Sequence, residues 1–269
     1  YTYLRKMSVK VFRDAQLYKS EPNPRLFGND ANEPDNKIWT NENWLKSRFH
    51  FCFAEYYDKK RTNFGVLRVA NDDLVQPSRG FGTHAHSNME IATYIVSGNL
   101  THQDSMGTRE TLSRGGVQYM SAGTGVRHSE FNEAKDKDLR FIQMWIEPRS
   151  RNLKPNYGGF EGNAASRRNA WQHLVSDKQN KDVETPVKIE QDANIFVTEL
   201  EEGKTLPFVL KEGRQAYLMC LEGGVELTGA HGKETLDKHD GAEIVGANPL
   251  QFTAKGAAHL LLVEMQKPK

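Results

Sequence analysis

Two short segments carry the residue types best suited to bind a metal. His84 and His86 flank one alanine, and His128 and Glu130 flank one serine. Residues i and i+2 of a strand point to the same face, so each segment presents two ligand side chains on one side. Two such strands facing each other would bring three imidazoles and one carboxylate to one point. That set suits a borderline divalent metal with open coordination positions, such as Fe(II), better than Mg²⁺ or Ca²⁺.

The carboxylate of this set has two candidates. Glu90 lies four residues after His86 and therefore shares strand parity with both His84 and His86, whereas Glu130 shares parity with His128. Both glutamates can point to the same interior, so the spacing alone leaves the fourth ligand open. The carboxylate that does not bind the metal is expected to orient a ligand imidazole or to be hydrogen-bonded in the strand wall.

A third i, i+2 pair, His102 and Asp104, precedes a turn at Gly107. Its position at a turn predicts a hydrogen-bonded turn role rather than a second metal site. The other histidines lack paired spacing and are interpreted as structural or surface residues.

Composition excludes several classes of function. The chain has 269 residues, of which 36 are basic and 35 acidic, giving a net charge of +1. Without a cationic excess, direct nucleic-acid binding is not expected. The longest aliphatic runs are too short to span a bilayer, and the six residues before Met7 lack the apolar stretch of a signal peptide and are interpreted as an extension. Cys52 and Cys220 lie in apolar runs, which predicts buried, reduced thiols and a cytoplasmic protein, or a nuclear one in a eukaryote.

Many short apolar runs separated by turn residues predict an all-β chain with little helix. A short helix is expected only at residues 41–45, where Asn41 could act as the N-cap. Residues 107–112 resemble residues 232–236, and Gly98 pairs with Gly223, at an offset of 124 to 125 residues. This internal repeat predicts two copies of one β domain: residues 1–148, a connection at 149–186, and residues 187–269.

The second copy is expected to lack the metal. The offset places the equivalents of His84 and His86 at residues 209–211, and those of His128 and Glu130 near residues 253–255, where no paired histidines occur. We interpret the second domain as a metal-free copy that packs, shields or binds partners.

The histidine segments resemble the two motifs of the cupin family. Residues 82–86 with Glu90 and Gly98 resemble the first motif, and residues 116–128 with Asn132 resemble the second. More narrowly, the chain is similar to the pirin family of bicupins. The similarity runs through residues 44–51, 54–58, 80–86, 101–107 and 120–130; it is close over residues 40–148 and loose elsewhere.

The resemblance implies two cupin (jelly-roll) β-barrels packed face to face, with one metal in the first. It places the ligands on His84, His86, His128 and Glu130, and we choose Glu130 over Glu90 on this ground. Some pirins cleave the flavonol quercetin with O₂, whereas others are described as transcription co-regulators whose iron state controls binding of a protein partner. The first domain resembles the bacterial type more closely, which favours the enzyme.

For an enzyme, Fe(II) is the favoured cofactor, and Zn, Ni, Mn, Co and Cu suit the same donors. A flavonol and O₂ would be the substrates. Glu130 would act as ligand and as the general base that takes the hydroxyl proton. Four apolar residues would line an aromatic pocket or belong to the ordinary core: Phe53, Tyr94, Met120 and Trp145.

Overall fold

The computed structural model describes residues 8–230, 232–246 and 248–268. The extension expected before Met7 and the lone His231 lie outside the described residues. Strands dominate the described chain, which confirms the all-β prediction. Its helical segments are one α-helix, α1 (Ala164–Arg167), and the 3-10 turns Asp14–Gln16 and Pro24–Phe27. Among these described helices, none has the length and apolar character needed to cross a membrane.

The chain divides into two compact units. The first unit comprises residues 18–63 and 67–162, and the second comprises residues 8–17, 64–66 and 163–268. The strands are β1 (Ser8–Phe12) in the second unit; β2 (Tyr18–Ser20), β3 (Leu45–Phe49), β4 (Leu67–Val75), β5 (Arg79–His86), β6 (Glu90–Ser97), β7 (Leu100–Asp104), β8 (Arg109–Leu112), β9 (Val117–Ser121), β10 (Val126–Asn132), β11 (Leu139–Ile146) and β12 (Asn156–Phe160) in the first; and β13 (Gln172–Asp177), β14 (Val187–Ile189), β15 (Ala193–Leu200), β16 (Thr205–Leu210), β17 (Arg214–Glu222), β18 (Gly224–Gly229), β19 (Gly232–Asp237), β20 (Gly241–Val245), β21 (Asn248–Ala254) and β22 (Ala258–Gln266) in the second.

Each unit contains a seven-stranded and a four-stranded sheet, and the two units share the order of the four-stranded sheet and of the four central strands of the seven-stranded sheet, but not of its edge strands. In the first unit the orders are β12-β9-β6-β11-β4-β3-β2 and β5-β10-β7-β8. In the second they are β1-β20-β17-β22-β15-β13-β14 and β16-β21-β18-β19. The predicted repeat is therefore present in the fold. Within the described residues, the two sheets of a unit are not joined by backbone hydrogen bonds into the closed barrel that the resemblance implied.

Two glycines mark the same point of the repeat. Gly98 has φ +78° and Gly223 has φ +70°, a region that favours glycine. A Cβ on Gly98 would meet the backbone of Leu139, and one on Gly223 would meet the backbone of Ala258, at 2.9 and 3.1 Å. Both glycines thus close a turn between two strands against the start of the strand that follows in the sheet.

The unit boundaries differ from the continuous division expected from the repeat. β1 pairs with β20, so the start of the chain belongs with the later residues. The expected connection contains strands: β12 extends the first unit and β13 enters the second. The helix predicted at residues 41–45 was wrong. Thr40 and Asn43 exchange side-chain and backbone hydrogen bonds there, forming a turn that leads directly into β3.

The cores of the units differ in character. The second unit contains a large cluster of buried apolar side chains, including Leu218, Leu262 and Phe252. The first unit has smaller apolar clusters, and polar side chains such as Asn71, Gln118 and Glu130 are buried between them. Cys52 and Cys220 are both buried and are not joined in a disulfide, as expected.

Candidate metal centre

The three candidate histidines come together on one pair of strands. His84 and His86 end β5, and His128 lies in β10 directly across from His84. The ring centroids are 4.6 to 4.8 Å apart for all three pairs. The expectation that the strands face each other was wrong: β5 and β10 are hydrogen-bonded neighbours in the four-stranded sheet. Two neighbouring strands still bring the histidines together, because directly opposed residues of an antiparallel pair project to the same side of the sheet.

The hydrogen bonds of His84 leave one nitrogen available for a metal. Its Nδ1 lies 2.8 Å from the carbonyl oxygen of Gly82, which can only accept, so Nδ1 carries the proton. Its Nε2 is then the nitrogen left to bind a metal, and it lies 3.1 Å from Nε2 of His128. The two Nε2 atoms are close enough to bind one shared cation.

His128 is held from behind by a second imidazole. Its Nδ1 lies 3.3 Å from Nδ1 of His102, whose Nε2 lies 2.9 Å from a carboxylate oxygen of Asp104. Because the carboxylate accepts from His102 Nε2–H, His102 Nδ1 can accept from His128 Nδ1–H. This chain leaves the lone pair of His128 on Nε2, toward His84. Partners of this kind fix the tautomer and orientation of metal-binding histidines.

The turn role predicted for the pair applies to Asp104. Its second oxygen accepts hydrogen bonds from the backbone N–H groups of Met106 and Thr108, at 2.8 and 3.1 Å. His102 has a different position from the one predicted, because it is buried against His128 and its ring stacks on Tyr157 at 4.4 Å.

Burial keeps the histidines in the form that binds metals. Burial and the neighbouring imidazoles lower the pKa of His86 to about 3. Burial, followed by the rings of His84 and His102, lowers the pKa of His128 to about 3 as well. Both rings are therefore neutral at pH 7, and the neutral imidazole is the metal ligand.

Glu130 is buried beside this cluster. A bulge between His128 and Glu130 shifts the register of β10 against β5. One carboxylate oxygen accepts a hydrogen bond from Gln118 Nε2, and the other accepts one from Gln143 Nε2 at 2.8 Å. The ligand atoms of Glu130, His128 and His102 lie within 4.8 Å of one another, as do those of His84, His86 and His128. Glu130 thus adjoins the three-histidine cluster, and its role as the fourth ligand stays a prediction.

Glu90 occupies a different environment. It is buried on β6, where its two oxygens accept hydrogen bonds from Tyr119 Oη at 2.6 Å and Ser121 Oγ at 2.7 Å. Among the described residues, it belongs to neither group of convergent metal-binding side chains. The geometry of Glu90 is that of a hydrogen-bonded carboxylate in the sheet wall.

The cluster opens into a cavity of about 470 Å³. Phe53 and Trp145 line this cavity, and Trp145 packs edge-on against His86 at 4.8 Å. Tyr94 and Met120, also considered as pocket residues, are buried in the core instead. The side chains that line the cavity are Ser20, Pro22, Leu26, Phe27, Leu45, Ser47, Phe49, Phe53, Ala54, Glu55, Asn71, Asp73, Phe81, His84, His86, Glu130, Gln143 and Trp145.

Buried and half-buried polar side chains form a row across the seven-stranded sheet of the first unit. Gln118, Thr93, Gln143 and Asn71, called the polar row below, are cross-strand partners on β9, β6, β11 and β4. Trp145 Nε1 donates to Gln143 Oε1 at 3.0 Å, so the amide N–H of Gln143 faces Glu130. The sequence analysis missed this row, although four polar residues inside buried strands were its available signal.

Two family models match the chain. The Pirin model matches residues 32–146, and a model described as the quercetinase C-terminal cupin domain matches residues 166–265. Together they cover both units.

Several known proteins are similar over most of the chain. A pirin-like protein of Caulobacter vibrioides is 38% identical over 82% of this chain and 92% of its own length. The quercetin 2,3-dioxygenase of Escherichia coli K12 is 33% identical over 84% of this chain and 93% of its own length. The crystal structure of the bacterial pirin YhhW from Escherichia coli in complex with nickel(II) superposes with a TM-score of 0.79. It is 27% identical and covers 97% of this chain and 100% of its own. The resemblance read from the motifs is thereby confirmed, and the chain belongs to the pirin family.

Proposed function

We propose that this protein is a metal-dependent dioxygenase that cleaves quercetin or a related flavonol with O₂. The observation that carries the proposal is the three-histidine cluster (His84, His86 and His128) at the wall of an aromatic cavity. The cavity volume lies in the range of small-molecule sites. The name of the Escherichia coli relative and the nickel bound to the bacterial pirin support the proposal.

The proposed metal ligands are the three-histidine cluster and Glu130. Three neutral imidazoles and one carboxylate suit a divalent transition metal, with Fe(II) favoured and Mn, Co, Ni, Cu and Zn also compatible. The Nε2 atoms of His84 and His128 support this fit, because they lie 3.1 Å apart, close enough to bind one cation together. When bound, the metal would supply Lewis acidity and a template for the substrate oxygens and O₂.

The chain's own residues would bind the ring and move one proton. Phe53, Phe81 and Trp145 present aromatic surfaces that can hold a planar flavonol and exclude water. Glu130, held by the amides of Gln118 and Gln143, would accept the proton of the 3-hydroxyl group. The Asp104–His102 pair would keep His128 in its metal-binding tautomer throughout.

The test is oxygen-dependent loss of quercetin. Protein purified without oxygen is reconstituted separately with Fe, Mn, Co, Ni and Cu, and quercetin absorbance is followed in air and under nitrogen. We expect loss in air only, and its abolition by His84→Ala. The matched control is His173→Ala, which removes a half-buried histidine of the second unit.

Failure of every metal to support turnover would contradict the enzyme proposal. The regulator would then become the better hypothesis. That alternative requires a protein partner whose affinity differs between the Fe(II) and Fe(III) forms, and equal affinity would exclude its redox version.

A further inference from the structure

Part of the cavity wall formed by the seven-stranded sheet is a patch of buried polar side chains. Asn71 and Asp73 alternate along β4, and the cross-strand partner of Asp73 is Ser47 on β3. All three line the cavity, and none is more than 3% exposed. The histidines, by contrast, stand on the four-stranded sheet. A ligand in the cavity therefore meets metal-binding groups on one sheet and this polar patch on the other.

Asn71 has an unpaired acceptor. Within the described part of the chain, its Oδ1 atom is buried and has no hydrogen-bond partner. Buried acceptors are almost always paired, and one left unpaired inside a binding cavity is explained by a donor that the ligand brings. The fold itself does not require asparagine here, because the equivalent cross-strand position of the second unit holds Phe196, opposite Leu262.

Asp73 complements this acceptor with a donor. The hydroxyl group of Ser47 donates to one of its carboxyl oxygens. Burial, together with the charges of Asp72 and Glu130, raises the pKa of Asp73 to about 8. The carboxyl group is then protonated at neutral pH and can donate a hydrogen bond as well as accept one.

We propose that Asn71 and the Asp73–Ser47 pair form a subsite that binds a hydroxyl group of an aromatic substrate. The hydroxyl group would donate to Asn71 Oδ1, and its oxygen would accept from the Asp73 carboxyl. The flavonol identity of the ring rests on the proposed function, whereas the hydroxyl preference rests on this patch alone. A site built to pair a hydroxyl rejects the analogue that lacks it, because the buried groups are left unpaired.

The experiment compares two flavonols on metal-loaded protein under nitrogen, where no turnover occurs. Quercetin carries several ring hydroxyl groups, and 3-hydroxyflavone keeps only the 3-hydroxyl group. Isothermal titration calorimetry should show that the unmodified protein binds quercetin at least about tenfold more tightly. Asn71→Leu should lower quercetin affinity about tenfold and leave 3-hydroxyflavone affinity within about twofold.

The matched control is Thr93→Val. Thr93 belongs to the same polar row and also has a buried, unpaired hydroxyl oxygen in the described structure, but it does not line the cavity. This variant should keep the preference for quercetin. Asp73→Asn and Ser47→Ala provide independent variants of the same subsite if Asn71→Leu does not fold, and each should reduce the preference.

Retention of the full preference in every folded subsite variant would overturn the inference, as would the absence of any preference in the unmodified protein when it binds both flavonols. If neither flavonol binds, the proposed function fails, and the same proteins are titrated with 2-naphthol and naphthalene. A preference for 2-naphthol that Asn71→Leu removes would support the subsite with another aromatic substrate. No such preference would overturn the subsite as well.

Discussion

The two units share the order of their central strands and differ in the polarity of their interiors. In the first unit, the polar row crosses the large sheet as Gln118, Thr93, Gln143 and Asn71. Following the same pairings in the second unit gives an apolar row: Ala242, Leu218, Leu262 and Phe196. The fold therefore requires neither row in particular. Two members of the polar row, Asn71 and Gln143, line the cavity, and Gln118 contacts Glu130, so these three residues are explained by the site rather than by the stability of the sheet.

The candidate metal-binding residues of the first unit are likewise replaced by apolar residues in the second unit. The Thr-Leu pair that occurs in both copies of the repeat aligns Leu112 of β8 with Leu236 of β19. Starting from these two residues, the backbone pairings within each four-stranded sheet identify the equivalent positions on the other strands. The equivalents of His84, His86, His128, Glu130 and His102 are Phe208, Leu210, Leu250, Phe252 and Leu227. Each polar side chain of the centre thus has an apolar counterpart in the second unit.

The largest expected effect is loss of the metal. His84→Ala removes one of the three clustered imidazoles, so metal content should fall from one equivalent per chain to a small fraction. The fold should persist, because the ring is partly exposed and the ladder around it is unchanged. Elemental analysis measures the metal content, and circular dichroism shows whether the fold persists. Two tightly bound equivalents per unmodified chain would contradict the assignment of a metal-free second unit.

Substitutions at equivalent positions of the apolar row and the polar row should lower the free energy of unfolding by different amounts. Leu218→Ala in the second unit leaves a cavity in a dense apolar cluster and should cost about 2 to 5 kcal/mol. Thr93→Val at the equivalent position removes an unpaired hydroxyl and should change stability by less than about 1 kcal/mol. Denaturant unfolding gives the change in the free energy of unfolding for each variant. If the two units unfold separately, it gives this change for each unit. Similar losses in both variants would show that the polar row stabilises the first unit.

Removal of the imidazole behind His128 should weaken the metal site without abolishing it. His102→Leu introduces the residue found at the equivalent position, Leu227, and frees His128 to adopt the other tautomer. Metal affinity should fall about 10- to 100-fold, the usual effect of such partners. Competition with a chelator measures the change. Unchanged affinity would mean that the Asp104–His102 chain does not position His128.

A pH dependence of stability is expected from Asp73. Its pKa is raised from 3.8 to about 8, so the native state binds more protons than the unfolded state between these values. The stability contributed by the protonated group is complete below pH 4 and is lost as the pH rises toward 8. Relative to Asp73→Asn, the unmodified protein should therefore lose about 3 to 4 kcal/mol of stability between pH 5 and pH 8, at most about 1.4 kcal/mol per pH unit. A constant difference across this range would exclude a protonated Asp73.

The sequence predicts the elements of the centre better than their arrangement. The spacing of His84, His86 and His128 and the turn glycines are local patterns, so they could be read directly. The pairing of β5 with β10, and of β7 with β10, is long-range, which is why the strands were expected to face each other and His102 was assigned to a turn. Strand register also explains why the second-unit equivalents of the metal-binding residues were misplaced. They lie one to three residues before the positions predicted from a constant offset, at Phe208, Leu210, Leu250 and Phe252.

The polar wall was missed for a chemical reason. The Asn71-Asp72-Asp73 sequence has the composition of a turn, because side-chain oxygens of these residues usually pair with nearby backbone groups. In the structure the segment is a buried part of β4, where Asp72 pairs with Arg140 at 2.7 Å and Asp73 with Ser47. Tertiary partners far along the chain replace the local ones, and sequence patterns do not show such partners.

Anomalous diffraction at the absorption edge of the loaded metal tests the central claim most directly. Crystals of the metal-loaded protein should give one strong peak per chain, about 2.0 to 2.2 Å from Nε2 of His84 and of His128 and from one nitrogen of His86. A carboxylate oxygen of Glu130 should complete the site. A peak in the second unit, or one coordinated by Glu90 in place of Glu130, would contradict the account.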